Sequence, residues 1–489
     1  MTDQHRADCL GFMGHPCIQT PNLDALAGES VVFDRAFCQS PVCMASRGAI
    51  FTGRYPGAIR IRGMGILPPS EITLPETLKR NGYNTGAFGK VHFTPEVYTR
   101  NHLKSSAPIL DWRRFGEAAC LSPIADDPCK VDYGFDVHVG CDDSCQGLFH
   151  QWLAQRAPEL VSQKPTRYED LPSPTDLYAS AYPSEHHQST FIAESCIDWL
   201  RARQAGKPWF AFCSFVAPHH PFEAPAEQIA RYAFDELPLP ELRGGVDPEF
   251  IPPPIVDAVG EMERCPEAVT RRIVAHYLAS ISLIDDNVGR IVALLRETGR
   301  LDNTIIVFAA DHGEMLGNHG LLRKPSMHYD ELLRVPLMVR IPGGVGAGRR
   351  VSGLVELIDV MPTCLGLLGM PGHPGIQGRD WSESLRQGTQ IGREDIHSDM
   401  ADLDPMVCDR GGGPYGAACT LRTAEWKLTI YPTAGMQYGQ LFDLVNDPDE
   451  SHNLYGDAGC RSIREEMLWR LSARAFRNTD PLPLRLTQW

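Results

Sequence analysis

With 489 residues the chain exceeds what one hydrophobic core supports, so a large domain and a smaller one are expected. Hydrophobic residues at 43% and charged residues at 22% exclude a disordered chain. A formal net charge of -15 excludes a protein that coats polyanions through a basic face, so no nucleic-acid partner is expected and any anionic substrate must meet a local cationic pocket.

The chain opens on MTDQHRAD, polar from its second residue, with no sign of a signal peptide. TPNLDALA reads as a helix start, with Thr20 as cap and Pro21 at the first helical position, and SVVFDRAF follows as a short strand. PVCMASRGAIFTGR places Cys43 at the start of a further helix, with Arg47 four residues on and therefore on the same face. Ser70 to Tyr83 reads as a helix ending near Gly82, and TGAFGK as a strand running into a loop at Lys90.

From about Asp111 to Asp176 the sequence is rich in Pro, Gly, Cys and Asp and is expected to be irregular. Helix signal returns at STFIAESCIDWLRARQ, and KPWFAFCSFVAP reads as a strand buried on both faces. A loop with His219 and His220 and a proline-rich meander follow. Leu278, Ile281, Ile284, Val288, Ile291 and Leu295 then recur at spacings of three and four, the stripe of an amphipathic helix ending near Gly299. NTIIVFAAD is a second fully apolar strand, delivering Asp311 and His312 at its end, and PLMVRIP is another.

LVELIDVMPTCLGLLG reads as a helix closing the large domain. Beyond it, ACTLRTAE, WKLTIYP and YGQLFDL read as short strands, followed by the helix RSIREEMLWRLSARAF. The expected fold is α/β: a large, mostly parallel mixed sheet sandwiched by helices over residues 1–375, and a small C-terminal antiparallel sheet with a packed helix over 376–489.

The longest apolar runs, IIVFAA and WFAFCSFVA, are too short to span a bilayer, so no membrane association is expected. Fifteen cysteines without a repeated CxxC pair read as mostly free thiols and a reducing, cytoplasmic setting. His186 and His187 read as surface residues at a helix start. The spacings among His312, His319 and His328 fit no zinc pair, and Gly411 to Gly413 read as a loop rather than a phosphate cradle.

Asp3 with Gln4, Cys43 with Arg47, Lys90 with His92, Asp311 with His312, and also His219 and Lys324 concentrate ionisable groups at strand ends and helix starts. Singly each has a bland explanation: a cysteine is most often a small buried hydrophobe, and most Lys and Arg are solvated. A parallel sheet would bring them to one rim, where active sites collect.

CMASRGAIFTGR resembles the signature of the type I sulfatases of the alkaline phosphatase superfamily. MTDQHRAD, TPNLDALA, AFGKVHF, APHHPF, AADHGEMLGNHG and LFDLVNDPDESHNL resemble family segments in the same order, over nearly the whole chain. The resemblance implies hydrolysis of sulfate monoesters, with Cys43 oxidised by a separate formylglycine-generating maturation enzyme to an aldehyde that hydrates to a geminal diol. One hydroxyl attacks sulfur and displaces the alcohol; the second loses a proton, the adduct collapses to aldehyde, and sulfate leaves. The same resemblance implies Asp3, Asp311 and His312 as metal ligands, with Gln4 as a further candidate. Calcium is expected, with manganese as an alternative because of the ring nitrogen, and magnesium as a further one. Arg47 would hold the modified side chain, Lys90 and Lys324 would clamp sulfate oxygens, and His92 and His219 would move protons. His219 fits that role better than His220, because the family pattern is His, one residue, then Pro.

Two positions depart from the family. Ala45 stands where many signatures have proline. Only Met1 and Thr2 precede Asp3, where relatives have a buried strand, and we expect that strand to begin upstream of Met1. Three other readings stay open: the Gln4 and His312 combination also occurs in relatives that cleave phosphonate monoesters, so the same site could prefer these or phosphodiesters; a cysteine hydrolase would use Cys43 and His219; and a degraded relative would only bind. The alcohol part of the substrate would be read by segments 111–176 and 223–260.

Overall fold

The computed structural model describes residues 1–93, 132–142, 147–168, 176–203, 206–239, 246–253, 255–256, 266–401 and 417–481. Two sheets build the large part of the molecule. One has β1 (Val31–Phe37), β8 (Ile306–Ala309), β9 (Arg334–Val335), β10 (Leu337–Arg340) and β11 (Arg350–Glu356), in the order β11-β1-β10-β8 with β9 also on β1. The other is the parallel set β3 (Val137–Gly140), β2 (Asn84–Gly89) and β6 (Trp209–Ser214).

Met1 and Thr2 bridge the two. The amino group donates to Cys213 O (2.7 Å) and Phe215 N–H to Met1 O (2.9 Å), while Thr2 N–H donates to Ala309 O (3.0 Å) in a parallel bridge of Thr2 with Ala310. Because β10 is antiparallel to both β8 and β1, and β11 is parallel to β1, every strand of the joined sheet except β9 and β10 runs one way. That is the mixed, mostly parallel sheet expected. A small sheet of β4 (Thr166–Arg167), β5 (Leu177–Ala179) and β7 (Phe222–Ala224) lies apart from it.

The stripe from Leu278 to Leu295 is real and belongs to a 31-residue helix, Glu267–Glu297. Ile284, Leu294 and Leu295 pack there with Phe191, Ile192 and Leu200 of the helix Gln188–Arg201. The helix Cys43–Thr52 is buried along its whole length, with Met44, Ala45, Ile50 and Phe51 in the main core against the sheet. Phe51 meets Phe212 of β6 edge-on at 4.7 Å between ring centroids.

The C-terminal part is an antiparallel sheet of β12 (Asp395–Ala401), β13 (Ala417–Thr423), β14 (Trp426–Ile430) and β15 (Gly439–Asp443). Leu421, Leu428 and Leu441 alternate onto one face and receive Met467 and Leu471 of the helix Arg461–Arg477. Ile396, Ala418 and Phe442 are continuous with the main core, so one apolar interior runs through both parts.

Several local expectations change. Thr20 makes no side-chain cap; its hydroxyl is turned to Asp24 Oδ1 (3.0 Å) and Gly11 N (2.9 Å). Leu354 to Glu356 end β11 instead of starting a helix, because strand pairing with Ala36 and Phe37 prevails over helical spacing, and the helix begins at Val360. The region expected to be irregular holds β3 and the helix Leu148–Arg156 among its described residues. His187 is buried and accepts Ser189 N–H (3.1 Å), capping its helix. The glycines at 411–413 lie outside the described residues, as do parts of both segments expected to read the alcohol. The ten described cysteines are free thiols, and among the described residues no helix is long and apolar enough to cross a membrane.

Candidate active site

Each strand of the common direction delivers a polar residue where it ends. Asp311 and His312 follow β8, Asp3 follows Thr2, and the helix beginning at Cys43 follows β1. Gly89 ends β2 with a left-handed φ of 91°, and a Cβ there would sit 2.0 Å from Ser214 O. Only glycine lets the two backbones approach so closely, and the turn sends Lys90 into the site.

The donors meet in a buried cluster. One ligand atom from each of Asp3, Cys43, Asp311 and His312 lies within 4.8 Å of the others. Arg47, wholly buried, ties the carboxylates together: Nε donates to Asp311 Oδ2 (2.7 Å) and Nη2 to Asp3 Oδ2 (3.2 Å), while Nη1 reaches Lys90 O (2.5 Å) and Ser214 Oγ (3.0 Å). Lys90 Nζ lies between Asp3 Oδ2 (3.0 Å) and Asp142 Oδ1 (3.2 Å). Burial opposes charge on Asp3, yet the cations Lys90 and Arg47 hold its carboxyl well below the usual range.

Lys324 is half-buried at the mouth, its Nζ 2.9 Å from Cys43 Sγ, 3.1 Å from His219 Nε2 and 3.3 Å from His312 Nε2. His219 Nδ1 donates to His220 O (2.5 Å), which leaves Nε2 as an acceptor, and burial together with Lys324 pushes its pKa well down. The Cys43 thiol is pushed up to about 12 by burial and by Asp3, against the pull of Lys324 and Lys90. Val42, before the helix, provides no side-chain cap, so the first-turn N–H groups beside Cys43 remain for an anion.

The geometry thus gathers Asp3, Cys43, Arg47, Lys90, His219, Asp311, His312 and Lys324. Gln4 joins through its backbone N–H to Asp311 Oδ1 (3.0 Å). His92 is buried on the Lys90 loop with a left-handed φ of 57°, and it is not among the hydrogen-bond partners of the Cys43 thiol, which are Asp3, His312 and Lys324.

The residues fit a hard divalent cation. Two carboxylates and a ring nitrogen converge, and Gln4 Oε1 is a buried oxygen that accepts no hydrogen bond. Sequence reasoning assigned no role to Asp142, Ser214, Ser46, His220 or Glu314. Ser46 Oγ donates to Asp311 O (2.6 Å), and Gln4 Nε2 contacts both His220 Nδ1 (3.1 Å) and Glu314. Ser46 and Glu314 stand inside quoted motifs, whereas Asp142 reaches Lys90 only through folding.

Comparison with known proteins places the chain. The family profile described as Sulfatase matches residues 1–370, and one described as N-sulphoglucosamine sulphohydrolase, C-terminal, matches 317–476. An arylsulfatase of Clostridium perfringens is 28% identical over 503 residues, covering 98% of this chain and 95% of the relative. The multifunctional alkaline phosphatase superfamily protein PehA of Trinickia caryophylli is 29% identical over 507 residues, covering 96% and 94%. The solved phosphonate monoester hydrolase SpPMH of Silicibacter pomeroyi superposes with a TM-score of 0.80 at 25% identity, over 100% of this chain and 97% of that one. With a profile match over most of its length and the signature cysteine at the heart of the cluster, the chain belongs to the sulfatase family of the alkaline phosphatase superfamily.

Proposed function

We propose that this sulfuric ester hydrolase cleaves sulfate monoesters of small molecules at Cys43, matured to formylglycine by a separate enzyme, beside a divalent cation held by Asp3, Gln4, Asp311 and His312. The observation that carries the reading is the convergence of Cys43 with three buried metal-type ligands, under an ammonium 2.9 Å from its sulfur. A cysteine hydrolase needs a thiol whose pKa is lowered; burial and Asp3 push this one up to about 12.

When bound, the cation supplies positive charge that acidifies the nucleophilic hydroxyl and neutralises the ester oxygens; calcium suits the carboxylates, and manganese suits the His312 nitrogen. Arg47 fixes both carboxylates and cannot itself titrate, because Asp311 and Asp3 outweigh burial and hold its pKa above the ordinary value. Lys324 and the first-turn N–H groups of the Cys43 helix bind sulfuryl oxygens as charge develops on them. His219 Nε2, held neutral, accepts the proton that leaves the second hydroxyl.

Peptide mass spectrometry across Cys43 tests the reading. Conversion of the thiol to aldehyde lowers the mass by about 18 Da, the chemistry that divides catalysis into two steps. An active enzyme with a wholly unmodified thiol refutes it.

A second reading, hydrolysis of phosphonate monoesters, is favoured by Gln4 and His312. A phosphonate monoester carries one negative charge, as a sulfate monoester does, so the same cationic site can hold either ester, and the fold is shared with the phosphonate monoester hydrolase SpPMH. Parallel assays of an aryl sulfate and an aryl phosphonate monoester separate the two, and preference for the phosphonate would overturn the first.

A further inference from the structure

Gln4 brings two chemically different ends to the site, and its surroundings decide which end goes where. The residue is pinned: its backbone N–H donates to Asp311 Oδ1 (3.0 Å), its carbonyl accepts Tyr277 OH (2.6 Å), and its φ is left-handed at 61°. With the backbone held, a half-turn of the terminal amide exchanges oxygen for nitrogen. Nε2 donates to Glu314 Oε2 and lies 3.1 Å from His220 Nδ1, leaving Oε1 buried without a donor. Glu314, itself fully buried, cannot be reversed, because its other oxygen accepts the N–H groups of Leu316 (2.9 Å) and Arg323.

We propose that Glu314 is a positioning residue that sets the polarity of the Gln4 amide: by accepting from Nε2 it keeps Oε1 turned to the cation. The inference rests on the reading of Asp3, Gln4, Asp311 and His312 as a metal site.

The isosteric change Glu314→Gln isolates this role. Its amide oxygen must stay on the two backbone N–H groups, since an NH2 there would face two donors. Its NH2 then faces Gln4 Nε2, donor against donor. Turning the Gln4 amide relieves the conflict and points an NH2, which has no lone pair for a metal, at the cation. His220 adapts by moving its ring proton. Glu314→Met removes the same charge but supplies no donor to turn the amide. The exchange Gln4→Glu with Glu314→Gln restores the match, because a carboxylate presents oxygen at both ends.

The test is Mn2+ and Ca2+ binding by isothermal titration calorimetry on the full-length chain, with melting of the chelator-treated proteins as a check on folding. Glu314→Gln is expected to bind roughly tenfold to a hundredfold more weakly than wild type, the scale of outer contacts that orient ligands. Glu314→Met should fall between the two, and the double exchange should recover most of the loss. Glu314→Gln binding as tightly as wild type overturns the role, as does equal weakening by Gln and Met, which would mean charge alone. Wild-type protein that binds neither cation overturns the metal-site reading, and this role with it.

Discussion

Replacing Arg47 by methionine removes the side chain that joins Asp3, Asp311, Lys90 and Ser214. The guanidinium is fully buried and donates at 2.7, 3.2, 2.5 and 3.0 Å to Asp311, Asp3, Lys90 O and Ser214. Asp3 would keep Lys90 Nζ at 3.0 Å, whereas Asp311 Oδ2 would lose its cation and stay desolvated. Breaking a buried pair from one side costs about 3–5 kcal/mol. At roughly 2.1 cal/mol/K per residue, 489 residues give an unfolding entropy near 1 kcal/mol/K, so the melting temperature should fall by about 3–5 °C. Arg47→Lys keeps the charge but cannot serve four acceptors, and should fall about half as far. Melting followed by circular dichroism at neutral pH, in chelator so that no bound cation offsets the lost charge, measures both. A methionine variant that melts within about 1 °C of wild type would show that the carboxylates do not depend on Arg47, and the argument fails.

Three further outcomes follow from named contacts. His187 is buried, with a pKa lowered to about 4 by desolvation against an ordinary 6.5. Below pH 6.5 the unfolded chain binds a proton that the native one refuses, so stability is full above 6.5 and about 3 kcal/mol is lost as pH falls toward 4. His187→Asn keeps the cap and should flatten the urea-unfolding profile in that window; an unchanged slope counts against it. Lys324→Gln, which removes the ammonium 2.9 Å from Cys43 Sγ, should lower kcat/KM on an aryl sulfate by about 10²-fold with the melting temperature nearly unchanged. Wild-type turnover would remove Lys324 from the chemistry. Gly89→Ala would drive a methyl group to 2.0 Å from Ser214 O at a φ of 91°, and should destabilise by several kcal/mol or prevent folding. Soluble protein with wild-type melting would refute the close approach.

How much of this was legible depended on how local each signal was. The stripe from Leu278 to Leu295, the apolar strand ahead of Asp311 and the helix at Cys43 carry their periodicity in a dozen residues, and all three fold as read. The direction of β10 was not legible, because a strand buried on both faces has the same composition in either orientation. β12 was missed for the opposite reason: Asp395–Ala401 buries His397, Ser398 and Asp399, whose polarity hides a strand. Two of their polar groups find partners far along the chain, His397 N–H at Glu356 (2.9 Å) and Asp399 Oδ2 at Arg62 (2.9 Å), so the pairing that supports the strand is not visible locally. Asp142 beside Lys90 belongs to this class too.

The orientation of the strands explains why the site is where it is. Asp3, the Lys90 turn, the Cys43 helix, His219 and Asp311 all come after segments that run in the common direction, so their side chains reach one edge of the sheet. β10, antiparallel at the centre, ends at the opposite edge with Arg340, which is occupied by Glu29 (2.9 Å) and Leu301 O (2.8 Å) and contributes nothing to the cluster. Met1 and Thr2 hold the two halves of that edge in register, since Thr2 bonds the strand carrying Asp311 while Met1 bonds the strand leading to His219. The metal-type ligands and the proton acceptor are therefore aligned by the same two residues. A change that loosens this pairing should weaken cation binding and turnover together, whereas loss of the Lys324 ammonium, 3.3 Å from His312 Nε2, should lower turnover without weakening cation binding.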